Sequence, residues 1–194
     1  MHTLIFASGN RHKAGEIEAA LPEGYQIITM KEAGIDEEIP EPFDTIEENS
    51  KHKARFLLQK LHTDCFAEDT GLEVEALHGE PGVKSARYAG EEKNFEKNIK
   101  KLLQAMQNIT DRQARFKTVI TLLQQGKEVI FEGICEGIIA EKPSGSNGFG
   151  YDAVFLPNGS AKTFAEMTLN EKNQYSHRKK ALDKMIQYLE QTNP

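Results

Sequence analysis

The stretch TLIFASGNRHKAGEIEAAL, residues 3–21, starts as an apolar run, stops at Ser8-Gly9-Asn10, and resumes with Ile17, Ala20 and Leu21 at helical spacing. That order predicts a strand, a tight turn and a helix. Residues 25–30 follow as a second strand, and residues 38–45, with Pro40 and Pro42 and no period, read as a loop. A helix is predicted from Ile46, where Asn49, Lys53, Phe56, Leu57, Lys60 and Leu61 continue the three-four spacing and mix polar with apolar groups on the inner face. Residues 65–67 and 72–77 read as strands around a turn at Glu68-Asp69-Thr70-Gly71, with a Gly- and Pro-containing stretch after them. A helix over 94–106 has Phe95, Ile99, Leu102, Leu103 and Met106 as its expected buried stripe. Residues 114–123 and 128–140 predict two long strands joined as a hairpin at Gly126. Residues 151–156 read as a strand, and Ser176 as the N-cap of a closing helix buried through Leu182, Met185, Ile186 and Leu189. Strand-helix units combined with a long hairpin predict an α/β fold with a mixed sheet flanked by helices.

At 194 residues the chain is long enough to bury a core without disulfides, and it shows no internal repeat or linker. It is expected to form one domain over residues 1–194, or two lobes on one sheet. No run approaches the roughly 18 apolar residues of a membrane span. The start MHTLIFASGN lacks a signal-peptide layout, so a cytoplasmic protein is expected. Cys65 and Cys135 sit in apolar, strand-like segments and read as reduced core thiols. A net charge of −6 argues against a nucleic-acid coat protein, which needs clustered cations, but leaves room for a small phosphorylated ligand.

Five segments carry groups with chemical potential. Ser8, Gly9, Asn10, Arg11, His12 and Lys13 join a strand to a helix, where amides, the helix dipole and a lysine suit a phosphate; a plain structural turn has the same pattern. Glu68 and Asp69 are adjacent on a strand and therefore point to opposite faces. Asp69 is the choice for a hard cation and an attacking water, against an acidic strand cap as the plain reading. Glu41 lies between two prolines that fix its backbone, while Glu47 and Glu48 suit a helix N-terminus. In the Gly-rich run around Phe149, with Gly150, Tyr151 and Asp152, an aromatic ring is framed by glycines, as either a stacking platform or a core plug. His177 and Arg178, with Lys172 shortly before them, place cations at a helix start, where the dipole opposes them.

Taken together these segments resemble the inosine triphosphate pyrophosphatase family, also called the non-canonical purine NTP or XTP/dITP pyrophosphatases. The resemblance runs over nearly the whole chain. It rests on Ser8-Gly9-Asn10 with Lys13 and Glu16, Glu48-Asn49 with Lys53-Ala54, and Asp69-Thr70-Gly71-Leu72. It continues through Pro81-Gly82-Val83 with Ser85-Ala86-Arg87-Tyr88-Ala89-Gly90, Gly148-Phe149-Gly150-Tyr151-Asp152, and Ser176-His177-Arg178. It implies an elongated α/β fold with a cleft between two lobes, a homodimer, and Mg²⁺-dependent release of pyrophosphate from ITP, XTP and their deoxy forms. By matching position it implies that Ser8 to Lys13 hold the triphosphate, and Lys13 and Lys53 are expected to stabilise the charge of the leaving pyrophosphate. Asp69 would be proton acceptor and metal ligand, with Glu41 as second ligand and Thr70 as a substrate contact. Phe149, Gly150, Tyr151, Asp152, Lys172, His177 and Arg178 would enclose and read the base. The chain departs from the family pattern at Glu68, where aspartate is common, at Lys84 in place of an aromatic, and at Ala153 in place of proline.

Overall fold

The computed structural model describes residues 2–19, 21 and 23–192, so that Ala20 lies outside the described residues. Strands β1 (His2–Phe6), β2 (Tyr25–Thr29), β3 (Cys65–Val74), β4 (Pro81–Gly82), β5 (Gln113–Gln124), β6 (Lys127–Ile139) and β7 (Phe155–Pro157) form one sheet. Its order is β2-β1-β3-β5-β6-β7, with β4 paired to β3. The sheet is mixed: β1 runs parallel to β2 and β3, whereas β4 pairs antiparallel with β3 and β7 with β6. Helices α1 (Arg11–Glu18), α2 (Ile46–Leu61), α3 (Phe95–Ala105), α4 (Leu169–Asn173) and α5 (His177–Thr192) complete the α/β architecture. None of the described helices is long and apolar enough to cross a membrane.

The chain divides into two compact units, the first made of Met1–Asp69, Thr118–Gly133 and Arg178–Pro194, the second of Thr70–Lys117 and Ile134–His177. In the first unit the period-2 alternation of the strands serves two cores. Phe6 and Phe66 stack at 4.8 Å and, with Ile120 and Leu122, face Ala14 and Ile17 of α1 and Leu182, Met185, Ile186 and Leu189 of α5. The intervening residues Cys65, Ala67 and Leu123 face Ala54 and Leu57 of α2. The second unit has one core, in which Leu72, Phe116, Cys135 and Ile139 of the strands meet Leu102, Tyr151, Phe155 and Phe164. Each fully buried Leu, Ile or Phe contributes about 1.5–3 kcal/mol relative to exposure. Cys65 and Cys135 are both buried thiols, and burial pushes the Cys65 pKa up to about 12.

Several expectations are corrected. Residues 68–71 are not a turn: β3 runs straight through them, because both carboxylates find buried cations and need not leave the sheet. Residues 75–77 form a 3-10 turn rather than the end of a strand. Residues 151–154 are a coiled turn, closed by the Val154 and Phe155 amides donating to the Tyr151 carbonyl, and only Phe155–Pro157 pairs with β6. On α3 Phe95 is exposed and Asn98 is buried in its place, with its carboxamide donating to Ala86 and accepting from Ala89. Lys60 is on the outer face of α2, paired with Glu37.

The β6–β7 pairing depends on Gly137, opposite Pro157, because an added Cβ would lie 2.3 Å from the Leu156 carbonyl oxygen and 2.7 Å from the Phe155 ring. Gly137→Ala is expected to lower unfolding free energy by about 1–3 kcal/mol through overpacking, measured by urea denaturation. A variant as stable as wild type would show that β7 yields without cost.

Candidate active site

In the first unit the site is built on the pleat of β3. Glu68 shares the face of Phe66 and Asp69 that of Ala67, so the two carboxylates enter opposite layers of helix. Glu68 is 1 % exposed and accepts two hydrogen bonds from Arg178 at the start of α5, at 2.8 and 3.1 Å, while Lys13 of α1 stands 3.1 Å away. Glu16 takes the remaining edge of the same guanidinium. Arg178 and Lys13 hold the Glu68 carboxyl well below its ordinary value of 4.5 despite burial.

On the other face Asp69 is 5 % exposed and accepts from Lys53 of α2 at 2.7 Å. The same Lys53 ammonium donates to Glu41 at 2.8 Å, so one buried cation is shared by two acids. Burial pushes the Asp69 carboxyl up; Lys53 and then Lys13 oppose the shift, and Glu41 adds to it. Among the described residues no three His, Cys, Asp or Glu side chains gather as a metal cluster. Glu41 and Asp69 are the carboxylates that converge, and two suffice for Mg²⁺, which keeps several waters and shares phosphate oxygens.

Local sequence explains this placement. Thr45 caps α2 by accepting from the Glu48 amide and donating to the Glu48 carboxylate, while Glu47 pairs with Lys51, so these two acids serve the helix. The first turns of α2 then bury Asn49, Ser50 and Lys53 in succession. Asn49 accepts from the Phe43 amide and donates to the Phe43 carbonyl, both at 3.0 Å, and Ser50 reaches the Ala67 carbonyl and Thr121. Sequence reasoning gives neither residue a role: Asn49 is marked there by the polar inner face of α2 and by the Glu48-Asn49 motif, and Ser50 only follows it.

The turn before α1 is already well occupied. Asn10 caps the helix by accepting from the amides of His12 and Lys13, Ser8 Oγ accepts from Asn10, and the Ser8 amide donates to Phe6. Arg11 and His12 are exposed, Gly9 is exposed between them and the strand, and Lys13 is the cation that turns inward to Glu68.

The second unit holds the aromatic group. Asp152 is buried, and its Oδ2 accepts from the Phe149 amide at 3.0 Å and from Lys172 at 2.8 Å. Gly148 leaves room for that carboxylate, since a Cβ there would fall 2.0 Å from it. The Lys172 ammonium lies 5.4 Å from the centre of the half-buried Phe149 ring and 5.3 Å from that of Phe164, within cation–π range. Phe95, expected in the core, sits with its ring 6.1 Å from Phe149. His177 is buried and stacks on Phe116 at 4.6 Å. Tyr151 turns inward: its hydroxyl donates to the Ser85 carbonyl, which makes its side chain a strut of the turn rather than a surface contact. Gly150 continues the turn, and Thr70 follows Asp69 on β3 half-buried. Although neighbours in sequence, His177 and Arg178 part company, the imidazole joining the aromatic group and the guanidinium joining Glu68. The three guanidinium nitrogens of Arg178 are engaged by Glu68 and Glu16, whereas the His177 ring lies against Phe116.

The family model described as the Ham1 family matches residues 4–188. The chain belongs to the Ham1 family. It is 52% identical over 189 residues to the dITP/XTP pyrophosphatase of Flavobacterium johnsoniae, covering 97% of this chain and 98% of that protein. It is 47% identical to the dITP/XTP pyrophosphatase of Porphyromonas gingivalis over 97% of this chain and 98% of that one. Among solved structures it is similar to the Ham1 protein of Staphylococcus aureus, with a TM-score of 0.89 at 38% identity over 99% of this chain and all of that one. A HAM1 protein from Coxiella burnetii gives 0.90 at 35% identity, over 98% of this chain and 100% of that one.

Removing the Glu68 charge would leave the buried Arg178 with Glu16 alone and take from Lys13 the acid it faces. Glu68→Gln is expected to cost about 3–5 kcal/mol of stability in urea titrations at neutral pH. The Glu68 carboxyl is held below 4.5, so its contribution is present above that pH and is lost as pH falls. The gap between variant and wild type should therefore narrow on acidification, and a gap that widens would contradict the ion-pair account.

Proposed function

We propose that this nucleoside triphosphate pyrophosphatase hydrolyses the triphosphates and deoxytriphosphates of inosine and xanthosine to monophosphate and pyrophosphate with Mg²⁺. The observation that carries the chemistry is the buried Lys53 ammonium held between Asp69 and Glu41. In this scheme water attacks the α-phosphorus, the bond from that phosphorus to the bridging oxygen breaks, and pyrophosphate leaves with the electron pair. The water proton passes to Asp69. Burial that raises the Asp69 carboxyl brings its proton affinity nearer the working pH, which is what a general base requires. Lys53 and Lys13 supply positive charge to the pyrophosphate as it departs, in a site where burial strengthens each charge. The turn from Ser8 to Lys13 receives the phosphate tail, with Lys13 as its main donor because the amides of Ser8, Asn10, His12 and Lys13 already have acceptors within the protein. Mg²⁺, held by Asp69 and Glu41, would supply Lewis-acid neutralisation of the phosphate oxygens.

For the base, the support is the aromatic group of the second unit. Phe149 offers a ring for stacking, and Lys172 and His177 bring donor-capable nitrogens to the same group of rings. A keto oxygen at purine position 6 accepts from such donors, whereas the amino group of adenine would leave a buried donor unpaired. Asp152 acts by holding Lys172 and the Phe149 amide. The names of the relatives, dITP/XTP pyrophosphatase, support the same substrate class.

Purified protein incubated with ITP, XTP, GTP and ATP, with and without Mg²⁺, is expected to yield monophosphate and pyrophosphate from ITP and XTP, resolved by chromatography. Asp69→Asn should lower the ITP rate by about 10²–10⁴-fold, the range for a general base. Orthophosphate as product, or equal use of ATP, would sink the scheme. His177→Phe keeps a ring on Phe116 and removes the donor, so the preference for ITP over ATP should narrow by up to about tenfold. An unchanged preference would take His177 out of base reading.

A further inference from the structure

The loop that carries Glu41 contains two prolines and belongs to no helix or strand, yet Glu41 arrives at the same ammonium as Asp69. We infer that Asn49 is a positioning residue for Glu41, clamping the 38–45 loop so that its carboxylate stays in register with Asp69. Asn49 is 0 % exposed, and its carboxamide meets both backbone groups of Phe43, accepting from the N–H and donating to the C=O, as a neighbouring strand would. Phe43 is two residues from Glu41, so fixing its peptide groups leaves the intervening Pro42, with its locked φ, as the main joint between clamp and acid.

The placement of Asn49 on α2 gives the clamp its reference point. The next residue, Ser50, is bonded to the Ala67 carbonyl and to Thr121, which ties this turn of α2 to β3 two residues before Asp69. One turn later Lys53 reaches both acids. Asn49 thus sets the position of one carboxylate and Ser50 that of the other, from consecutive positions on a single rigid element, as positioned catalytic groups require to within a fraction of an ångström. A carboxamide that only filled space would need partners, but not two partners on one residue of the loop bearing a reactive acid.

The inference rests on the assignment of Glu41 as a metal ligand, and the test separates the two. In wild type, Asn49→Ala, Glu41→Gln and the double variant, one measures the Mg²⁺ concentration for half-maximal ITP hydrolysis. Without metal or nucleotide, one also measures hydrogen exchange at the Phe43 amide. Asn49→Ala is expected to raise half-saturating Mg²⁺ by up to about tenfold and to speed Phe43 exchange by about two- to tenfold, the worth of one hydrogen bond, while amides in the middle of α2 stay protected. In the Glu41→Gln background it should add less than about twofold. Full additivity overturns the positioning role and leaves Glu41 as a ligand. Wild-type Mg²⁺ dependence in Glu41→Gln overturns the ligand assignment and the inference with it. Should Asn49→Ala fail to fold, Asn49→Asp keeps the acceptor for the Phe43 N–H and loses the donor. It should weaken Mg²⁺ in the same direction, and an unchanged Mg²⁺ response there overturns the clamp.

Discussion

Two adjacent carboxylates buried in the middle of a strand are sent by the pleat to opposite faces, so each needs its own hydrogen-bonded cation. Glu68 and Asp69 therefore require two separate sources of positive charge, and the first unit is arranged to provide them. Lys13 and Arg178 come from helices on one face, and Lys53 comes from the helix on the other. Removing both acids from water costs several kcal/mol each before any pairing is counted. The helices on both faces are consequently held to β3 by charge as well as by their apolar stripes. Asp69 keeps the raised proton affinity of a buried acid, whereas Glu68 is fully compensated. Neighbouring acids thus have their proton affinity raised on one face of the strand and lowered on the other.

How much of this could be read beforehand depended on whether the deciding partner was near in sequence. The β1 turn and α1, the β5–β6 hairpin and the apolar stripe of α5 follow from periods and turn residues within a few positions, and they stand as expected. The continuity of β3 did not, since Glu68-Asp69-Thr70-Gly71 reads as a polar turn until Arg178, 110 residues away, is brought to Glu68. Residues 151–154 failed for a related reason: their β-type residues are overruled by Asp152, whose carboxylate closes a turn with Phe149 and anchors Lys172. Phe95 has the spacing of a core residue but lies at the first position of α3, where Asn98 turns the helix to cap a neighbouring loop.

The candidate groups were legible as residue types and only partly as neighbours. Lys53, Asp69 and Glu41 were each picked out from the chain, but that one ammonium joins them is a fact of packing. His177 and Arg178 show the reverse, a pair that the chain presents together and the fold separates, since consecutive residues at a helix start diverge by about 100° around its axis. A chain-wide motif can therefore record two independent demands at adjoining positions.

The distribution of these partners along the chain also bears on how the protein is made. The first unit is assembled from three segments, and the last of them, Arg178–Pro194, provides both the guanidinium that neutralises Glu68 and the α5 side chains that close one core. In the order of synthesis that segment follows every segment of the second unit. Until it emerges, the nascent chain holds a buried-to-be anion without its counterion and an apolar sheet face without its cover, while every segment of the second unit has already left the ribosome or is leaving it. Closure of the first unit thus waits on residues that follow the whole of the second unit in the chain, and a chain truncated before residue 178 would carry Asp69 and Lys53 without the layer that supports their strand from behind.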